Sequence, residues 1–77
     1  MATPIILPDL GSRSSKVRVS CWLADPGDRI EEGDRVVEVL VPGVTFDVSA
    51  PTSGTLTKIE KLPDAVVATG DILGWIS

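Results

Sequence analysis

This sequence of 77 residues repeats its own pattern, and the repeat restricts the folds that it can adopt. Moving the second half back by 37 positions (70 − 33) places Gly70-Asp71 on Gly33-Asp34 and Pro63 on Pro26. The apolar positions that also coincide are Val19 with Leu56, Trp22 with Ile59, Ile30 with Val67, Val36 with Leu73, and Val39 with Ile76. The repeat predicts two similar half-motifs that pack around a shared pseudo-twofold axis.

Each half consists of short apolar stretches separated by turn signals, which is typical of β-structure. Residues 44–50 alternate apolar and polar side chains, as a half-buried strand does. Turn-forming residues recur at 25–28, 31–34, 42–43, 51–54, 63–64 and 69–71. No window shows the 3.6-residue period of an amphipathic helix. An all-β fold follows, with strands predicted over 3–8, 16–24, 35–40, 44–50, 54–61 and 72–76, short bridges at Ile30 and 66–67, and a loop over 9–15.

The alternation of apolar residues breaks at Trp22 in one half and at Ile59 in the other, which predicts a bulge or a strand corner at both places. Cys21 keeps the phase of the strand before it, so we predict that it is a buried structural cysteine. One of Trp22 and Trp75 is expected to join the core. The other predicted core residues are Ile6, Val17, Val19, Ile30, Val36, Val39, Phe46, Val48, Leu56, Ile59, Val67, Leu73 and Ile76.

Charge and composition exclude several classes of function. The chain carries 11 acidic and 7 basic residues, and its scattered cations form no stripe that could follow a phosphate backbone. It contains no His and no Tyr, which removes the commonest general base and metal ligand. No apolar run approaches the roughly 20 residues of a membrane span, and we find no secretory signal. We therefore expect a cytoplasmic protein with no nucleic-acid or membrane partner.

A group of carboxylates surrounds the two turns at 25–28 and 31–34. The group consists of Asp25, Asp28, Glu31, Glu32 and Asp34. Their spacing does not match a calcium loop, and Arg29 and Arg35 lie among them, so we interpret the group as a solvated, partly ion-paired face. A sandwich of this size leaves little room for a cleft. The chain is therefore predicted to be non-catalytic, with no catalytic residue and no metal site.

Several short motifs follow one order and spacing along nearly the whole chain. They are Leu7-Pro8-Asp9-Leu10-Gly11, Trp22, Pro26-Gly27-Asp28, Gly33-Asp34, Glu38-Val39, Val44-Thr45-Phe46-Asp47-Val48-Ser49-Ala50-Pro51, Ser53-Gly54 and Gly70-Asp71. Together they resemble the lipoyl domains of 2-oxo acid dehydrogenase acyltransferases, within the biotinyl/lipoyl attachment family. The resemblance implies a flattened barrel-sandwich hybrid of two four-stranded antiparallel sheets with quasi-twofold symmetry. It also implies a lysine at the tip of the central hairpin, which a ligase or transferase modifies with lipoate.

At that hairpin tip this sequence has Pro42-Gly43 where the family has Asp-Lys, and the Met-Lys-Met of a biotin site is also absent. Proline at the second position and glycine at the third predict a type II turn. Such a turn is either a well-formed hairpin connection or a small apolar contact for a partner. The three lysines, Lys16, Lys58 and Lys61, lie outside the hairpin.

We therefore expect no lipoate or biotin on this chain, because Pro42 and Gly43 occupy the attachment position. The first hypothesis is a non-catalytic lipoyl-like domain with a degenerate attachment site, which acts as a protein-interaction or accessory module for 2-oxo acid dehydrogenase-type components. The alternative is a functional lipoyl carrier domain with an atypical attachment lysine. A third hypothesis is a structural sandwich like the lipoyl-like domains of membrane-fusion adaptors. A helical hairpin normally splits those domains, and no helix is predicted in this sequence, which disfavours the third hypothesis. One domain is predicted over residues 1–77, and the absence of Ala/Pro-rich linkers favours a free-standing chain.

Overall fold

The computed structural model describes residues 2–10 and 16–77, and every regular element within those ranges is a β-strand. The eight strands are β1 (Thr3–Ile6), β2 (Val17–Trp22), β3 (Arg29–Ile30), β4 (Arg35–Val41), β5 (Val44–Ser49), β6 (Gly54–Ile59), β7 (Val66–Val67) and β8 (Ile72–Ile76). The predicted all-β class and the position of every predicted strand are confirmed. The loop predicted over 9–15 runs into residues 11–15, which lie outside the described residues.

The strands form two four-stranded antiparallel sheets, in the orders β1-β8-β6-β3 and β5-β4-β2-β7. Exchanging β1 with β5, β8 with β4, β6 with β2 and β3 with β7 converts one order into the other. The registers match as well, because Ile5 opposite Gly74 in one sheet corresponds to Val48 opposite Val37 in the other. The predicted quasi-twofold sandwich is therefore confirmed.

The repeat extends to the hydrogen bonds of the turns that lead into β4 and β8. Gly33 and Gly70 have nearly identical φ angles of 90° and 91°, in the region that glycine adopts without steric cost. The Gly33 N–H donates to the carbonyl of Ala50 over 3.0 Å, and the Gly70 N–H donates to the carbonyl of Leu7 over 2.9 Å. Each turn is therefore hydrogen-bonded to the residue that follows an edge strand, Ala50 after β5 in one case and Leu7 after β1 in the other.

An aspartate stabilises each of these two turns in the same way. The Asp34 carboxylate accepts the backbone N–H of Glu31 over 2.9 Å, and the Asp71 carboxylate accepts that of Ala68 over 2.8 Å. We expect Asp34→Ala and Asp71→Ala to lower the free energy of unfolding by similar amounts, about 0.5–1.5 kcal/mol each, because each removes one equivalent bond. Chemical denaturation measures both losses. Glu32→Ala is the control, since it removes a neighbouring charge and no such bond, and an effect of Glu32→Ala as large as that of Asp34→Ala would contradict the assignment.

Both halves contain a bulge at the same place. The register shifts between Val19 and Cys21 in the β2–β4 ladder, and between Leu56 and Lys58 in the β6–β8 ladder. These positions differ by 37 residues, and the bulge predicted from the broken alternation is confirmed at both. The buried core consists of Ile5, Leu7, Val17, Val19, Ile30, Val36, Val37, Val39, Val41, Val48, Ala50, Leu56, Val67, Leu73 and Ile76.

The predicted burial of Cys21 is wrong, because the bulge reverses the phase of β2. Beyond Val19 the inward position passes to Trp22, which packs against the core, and Cys21 becomes exposed. The prediction for Ile6 is also wrong, because β1 turns the other set of side chains towards the core. Ile5 and Leu7 are buried, and Ile6 between them is exposed.

The prediction for Phe46 is wrong because β5 is an edge strand. Phe46 pairs with the fully buried Val39 of β4, but no strand lies on its other side, and it is exposed. Ile59 packs against the core while only partly buried, as does Trp22, whose predicted entry into the core is confirmed.

Trp22 reaches from one sheet to the other. Its indole Nε1 donates to the carbonyl of Lys61 over 2.8 Å, and its Cη2 lies 2.8 Å from the point where a Cβ of Gly74 would stand. The repeat equates this pair with Ile59 and Val37. Each pair thus joins the two halves: Trp22, the largest side chain, faces a glycine, and at the equivalent place the repeat puts two side chains of intermediate size.

None of the described residues belongs to a helix that is long and apolar enough to cross a membrane.

Candidate functional site

The central hairpin of the molecule joins β4 to β5. Its ladder runs through six residue pairs, from Arg35 opposite Ser49 to Val41 opposite Val44. Val41, at the end of the ladder, is buried. The hairpin is therefore fixed to the core up to the last residue before its turn.

The turn itself consists of two residues, Pro42 and Gly43. Gly43 has a φ of 80°, which is the value that a type II turn requires at its third position. The predicted turn type is therefore confirmed. Apart from Gly43 itself and its chain neighbours Pro42 and Val44, no described residue has an atom within 4 Å of the position that a Cβ on Gly43 would take. The tip thus projects into open space, and a side chain placed there would meet no neighbour.

None of the three lysines lies within this turn, although Lys16 lines a depression beside it. Lys16 precedes β2, and Lys61 lies in the turn after β6. Lys58 lies within β6, and its Nζ is 3.6 Å from a carboxylate oxygen of Glu60. Amide attachment of a carrier group at the hairpin tip needs a primary amine, and Pro42 and Gly43 supply none. The two residues of the turn therefore offer no side-chain amine for such a bond.

The hairpin tip lies at one end of the fold. The pairing of Arg18 with Leu40 places the start of β2 near the tip, and β7 pairs beside the same part of β2. The turn at 68–71 then leads from β7 into β8, so β8 runs away from the tip. The pair formed by Thr3 and Ile76 lies at the opposite end of the molecule.

Beside the turn is a depression of about 260 Å³, which we call the tip surface. It is lined by Lys16, Arg18, Leu40, Val41, Pro42 and Gly43. The turn is predictable from the sequence, but Arg18 was not predicted as its neighbour. The missing information was the β2–β4 register, which brings Arg18 opposite Leu40 although 22 positions (40 − 18) separate them.

The acidic group around the two turns is occupied by internal contacts. The Asp28 and Asp34 carboxylates accept backbone N–H groups, and Arg29 forms an ion pair with Glu31 at 2.8 Å. Arg35 pairs with Asp47 at 3.3 Å. Within the described ranges no cluster of three metal-ligating side chains occurs. A wide depression of about 830 Å³ covers this face, and both arginines that line it, Arg29 and Arg35, are held in ion pairs. The predicted solvated, partly paired face is confirmed.

Comparison with known proteins matches this chain to one family. The family model described as "Biotin-requiring enzyme" matches residues 3–76. The succinyltransferase component of the 2-oxoglutarate dehydrogenase complex of Rickettsia conorii is 34% identical over 77 residues, which are 100% of this chain and 20% of that protein. The acetyltransferase component of an acetoin cleaving system of Pseudomonas putida is 33% identical over 72 residues, 94% of this chain and 20% of that protein. The chain thus spans about a fifth of the length of these relatives.

Two solved structures share the fold. Urea carboxylase of Kluyveromyces lactis superposes with a TM-score of 0.84 at 25% identity, over 100% of this chain and 6% of that one. The lipoyl domain of the 2-oxoglutarate dehydrogenase complex of Azotobacter vinelandii superposes with a TM-score of 0.73 at 21% identity, over 95% of both chains. The second likeness covers a whole isolated domain and shows that the two share one fold.

Proposed function

Because this chain belongs to the biotin/lipoyl attachment family, we propose that it is a non-catalytic lipoyl-like domain that carries no lipoyl or biotinyl group. It acts instead through contacts with other proteins. The similarity to acyltransferase components supports placing it in the 2-oxo acid dehydrogenase branch of the family.

The observation that carries this proposal is the chemistry of the hairpin tip. The family resemblance puts the attachment lysine on this turn, and here the turn consists of Pro42 and Gly43. Neither residue has a side-chain amine that could form the amide bond. The hairpin next to the turn is otherwise intact, with continuous pairing from Val37 opposite Val48 to Val41 opposite Val44, and Val41 is buried. The β-hairpin that would hold an attachment lysine in solvent is therefore present, and the lysine amine is absent from its turn.

Lys58 and Lys61 do not reproduce this presentation, and Lys16 precedes β2 and is not part of the turn. Lys58 projects from a strand and not from a turn, and its ammonium group faces Glu60. Lys61 lies in the turn after β6, and its own backbone carbonyl accepts the hydrogen bond from the Trp22 indole N–H. Under the pseudo-twofold repeat, Lys58 and Lys61 correspond to Cys21 and Ala24, and neither corresponds to the hairpin tip.

The partners that this proposal favours are protein components of 2-oxo acid dehydrogenase-type assemblies. The relatives named above are themselves components of multi-enzyme systems. The described residues contain neither a metal-ligand cluster nor an unsatisfied buried side-chain polar atom that would indicate a catalytic centre. Protein contact is the role that such a surface supports.

Intact mass spectrometry tests the proposal. The chain is co-expressed with a lipoate ligase and lipoate, and separately with a biotin ligase and biotin, and its mass is expected to remain unchanged. A lipoyl domain that has a lysine at its hairpin tip, expressed in the same cells, shows that the ligase is active. A gain of one lipoyl group on the wild-type chain would overturn the proposal.

A second candidate is a lipoyl carrier with an atypical attachment lysine. The names of the relatives favour it, because they are dihydrolipoyllysine-residue acyltransferase components. Peptide mapping of any modified chain decides between the two candidates. Lipoate on Lys16, Lys58 or Lys61 would establish the carrier.

A further inference from the structure

We propose that the tip surface is a docking site for an acidic, apolar segment of a partner protein. The proposal rests on the proposed function in one respect only, namely that the domain works through protein contacts. It adds the position of the contact and the chemistry of the partner.

The charge of the tip surface differs from that of the rest of the chain. Lys16 and Arg18 line it, and neither forms an ion pair with any described residue. Arg29, Arg35 and Lys58, in contrast, each have a carboxylate partner within 4.0 Å. Among the residues that the structure describes, no carboxylate lines the depression, although the chain has 11 acidic residues against 7 basic ones. Two uncompensated cations beside one depression attract an anionic partner.

Apolar side chains flank these cations. Arg18 is the direct cross-strand partner of both Leu40 and Val66, so the three share the outer face of the sheet. Leu40 is 43% exposed and Val66 is 54% exposed. Pro42 adds the rigid ring of the turn to the same depression. A partner segment that alternates carboxylates with apolar side chains would satisfy both features of this surface.

The rigidity of the hairpin lowers the cost of such a contact. The ladder holds the backbone up to Val41 and Val44, and Pro42 restricts the turn between them. A surface that is ordered before it binds loses less conformational entropy on association. The turn is therefore suited to a contact that needs no rearrangement of this chain.

The size of the depression selects a peptide segment over a small molecule. Sites for small molecules usually enclose about 300–1,000 Å³. The depression beside the tip is open and measures about 260 Å³, which accommodates only part of a ligand, such as one or two side chains. A nucleic acid is disfavoured by the overall charge of −4.

Titration of the ¹⁵N-labelled chain, followed by NMR, tests the site. The probe is an acetylated and amidated hexapeptide in which glutamate alternates with leucine. We expect chemical-shift changes confined to residues 16–18, 40–44 and 66. Arg18→Glu combined with Lys16→Glu is expected to weaken binding about tenfold, because two attractive contacts become repulsive. Lys61→Glu makes the same charge change outside the tip surface and is expected to leave the affinity unchanged.

Two further peptides make the test selective. Replacing glutamate by lysine, or leucine by serine, is expected to abolish the shifts at the tip. Equal binding of either peptide, shifts elsewhere on the surface, tighter binding of a single-stranded oligonucleotide at the tip, or an undiminished affinity of the double variant would each overturn the proposal. The titration does not depend on lipoylation. A failed titration would therefore leave unchanged the proposal that the hairpin tip carries no lipoyl or biotinyl group. Lipoylation of the wild-type chain in the co-expression experiment would overturn the proposed function, whereas the titration is made on the unmodified chain and is unaffected by that result.

Discussion

Replacement of Gly43 by lysine alone is expected to produce a chain that a lipoate ligase modifies poorly. The new side chain meets no described neighbour, so the defect is not steric. It comes from the backbone, because Gly43 has a φ of 80° and a side chain at that angle costs about 1 kcal/mol or more. Pro42, the residue before it, has its own φ fixed by the pyrrolidine ring, which prevents the turn from relaxing. The amine is present in this variant but is directed away from the position that the family turn gives it.

The double variant, Pro42→Asp with Gly43→Lys, is expected to be modified several-fold more than the single one. Aspartate removes the restriction on φ and lets the turn adopt a form in which lysine has a negative φ. Intact mass gives the modified fraction of both variants under the same ligase and lipoate. Thermal melting confirms that both remain folded. Complete lipoylation of Gly43→Lys alone would show that the turn geometry does not limit the reaction.

Gly74→Val is expected to destabilise the fold more than any surface change discussed above. A Cβ at this position would lie 2.8 Å from the carbonyl oxygen of Lys58 and 2.8 Å from Trp22 Cη2. Overpacking of this kind typically costs about 1–3 kcal/mol. In a domain of this size, each kcal/mol lowers Tm by about 4–8 °C. Thermal melting followed by circular dichroism is therefore expected to show a loss of roughly 4–24 °C.

The variant Trp22→Ile separates the two contacts of Gly74. It gives the first half the residue that the repeat places at Ile59, and it removes the indole from above Gly74. We expect Gly74→Val to cost less in the Trp22→Ile background than in the wild type. An equal cost in both backgrounds would mean that the Lys58 carbonyl, and not the indole, limits the space.

Local sequence chemistry was sufficient for the strands, the turns and the hairpin tip. A type II turn at Pro42-Gly43 follows from two adjacent residues, and a φ of 80° at Gly43 agrees with it. The repeat added the pairing of the two halves, because each turn of one half predicts a turn of the other. These features depend on short segments whose conformation needs little help from tertiary contacts.

Burial near the bulges and the sheet edges could not be obtained in this way. Alternation assigned Cys21 to the core, yet an extra residue between Val19 and Cys21 turned its side chain outward. Phe46 has the correct phase for the core but lies on an edge strand, and strand order is a property of the whole sheet. The tip surface was missed for the same reason, since only the β2–β4 register brings Arg18 beside Leu40.

The two ends of the strand network have a consequence for the connectivity of the fold. Thr3 and Ile76 are direct ladder partners, and the hairpin turn occupies the corresponding place at the other end of the molecule. A circularly permuted chain, opened between Pro42 and Gly43 and closed by a short linker from residue 77 to residue 1, would retain every strand pair. Its new termini would emerge where the hairpin now turns. The hairpin turn at one end of the molecule and the Thr3–Ile76 strand pair at the other thus occupy equivalent positions in the two sheets.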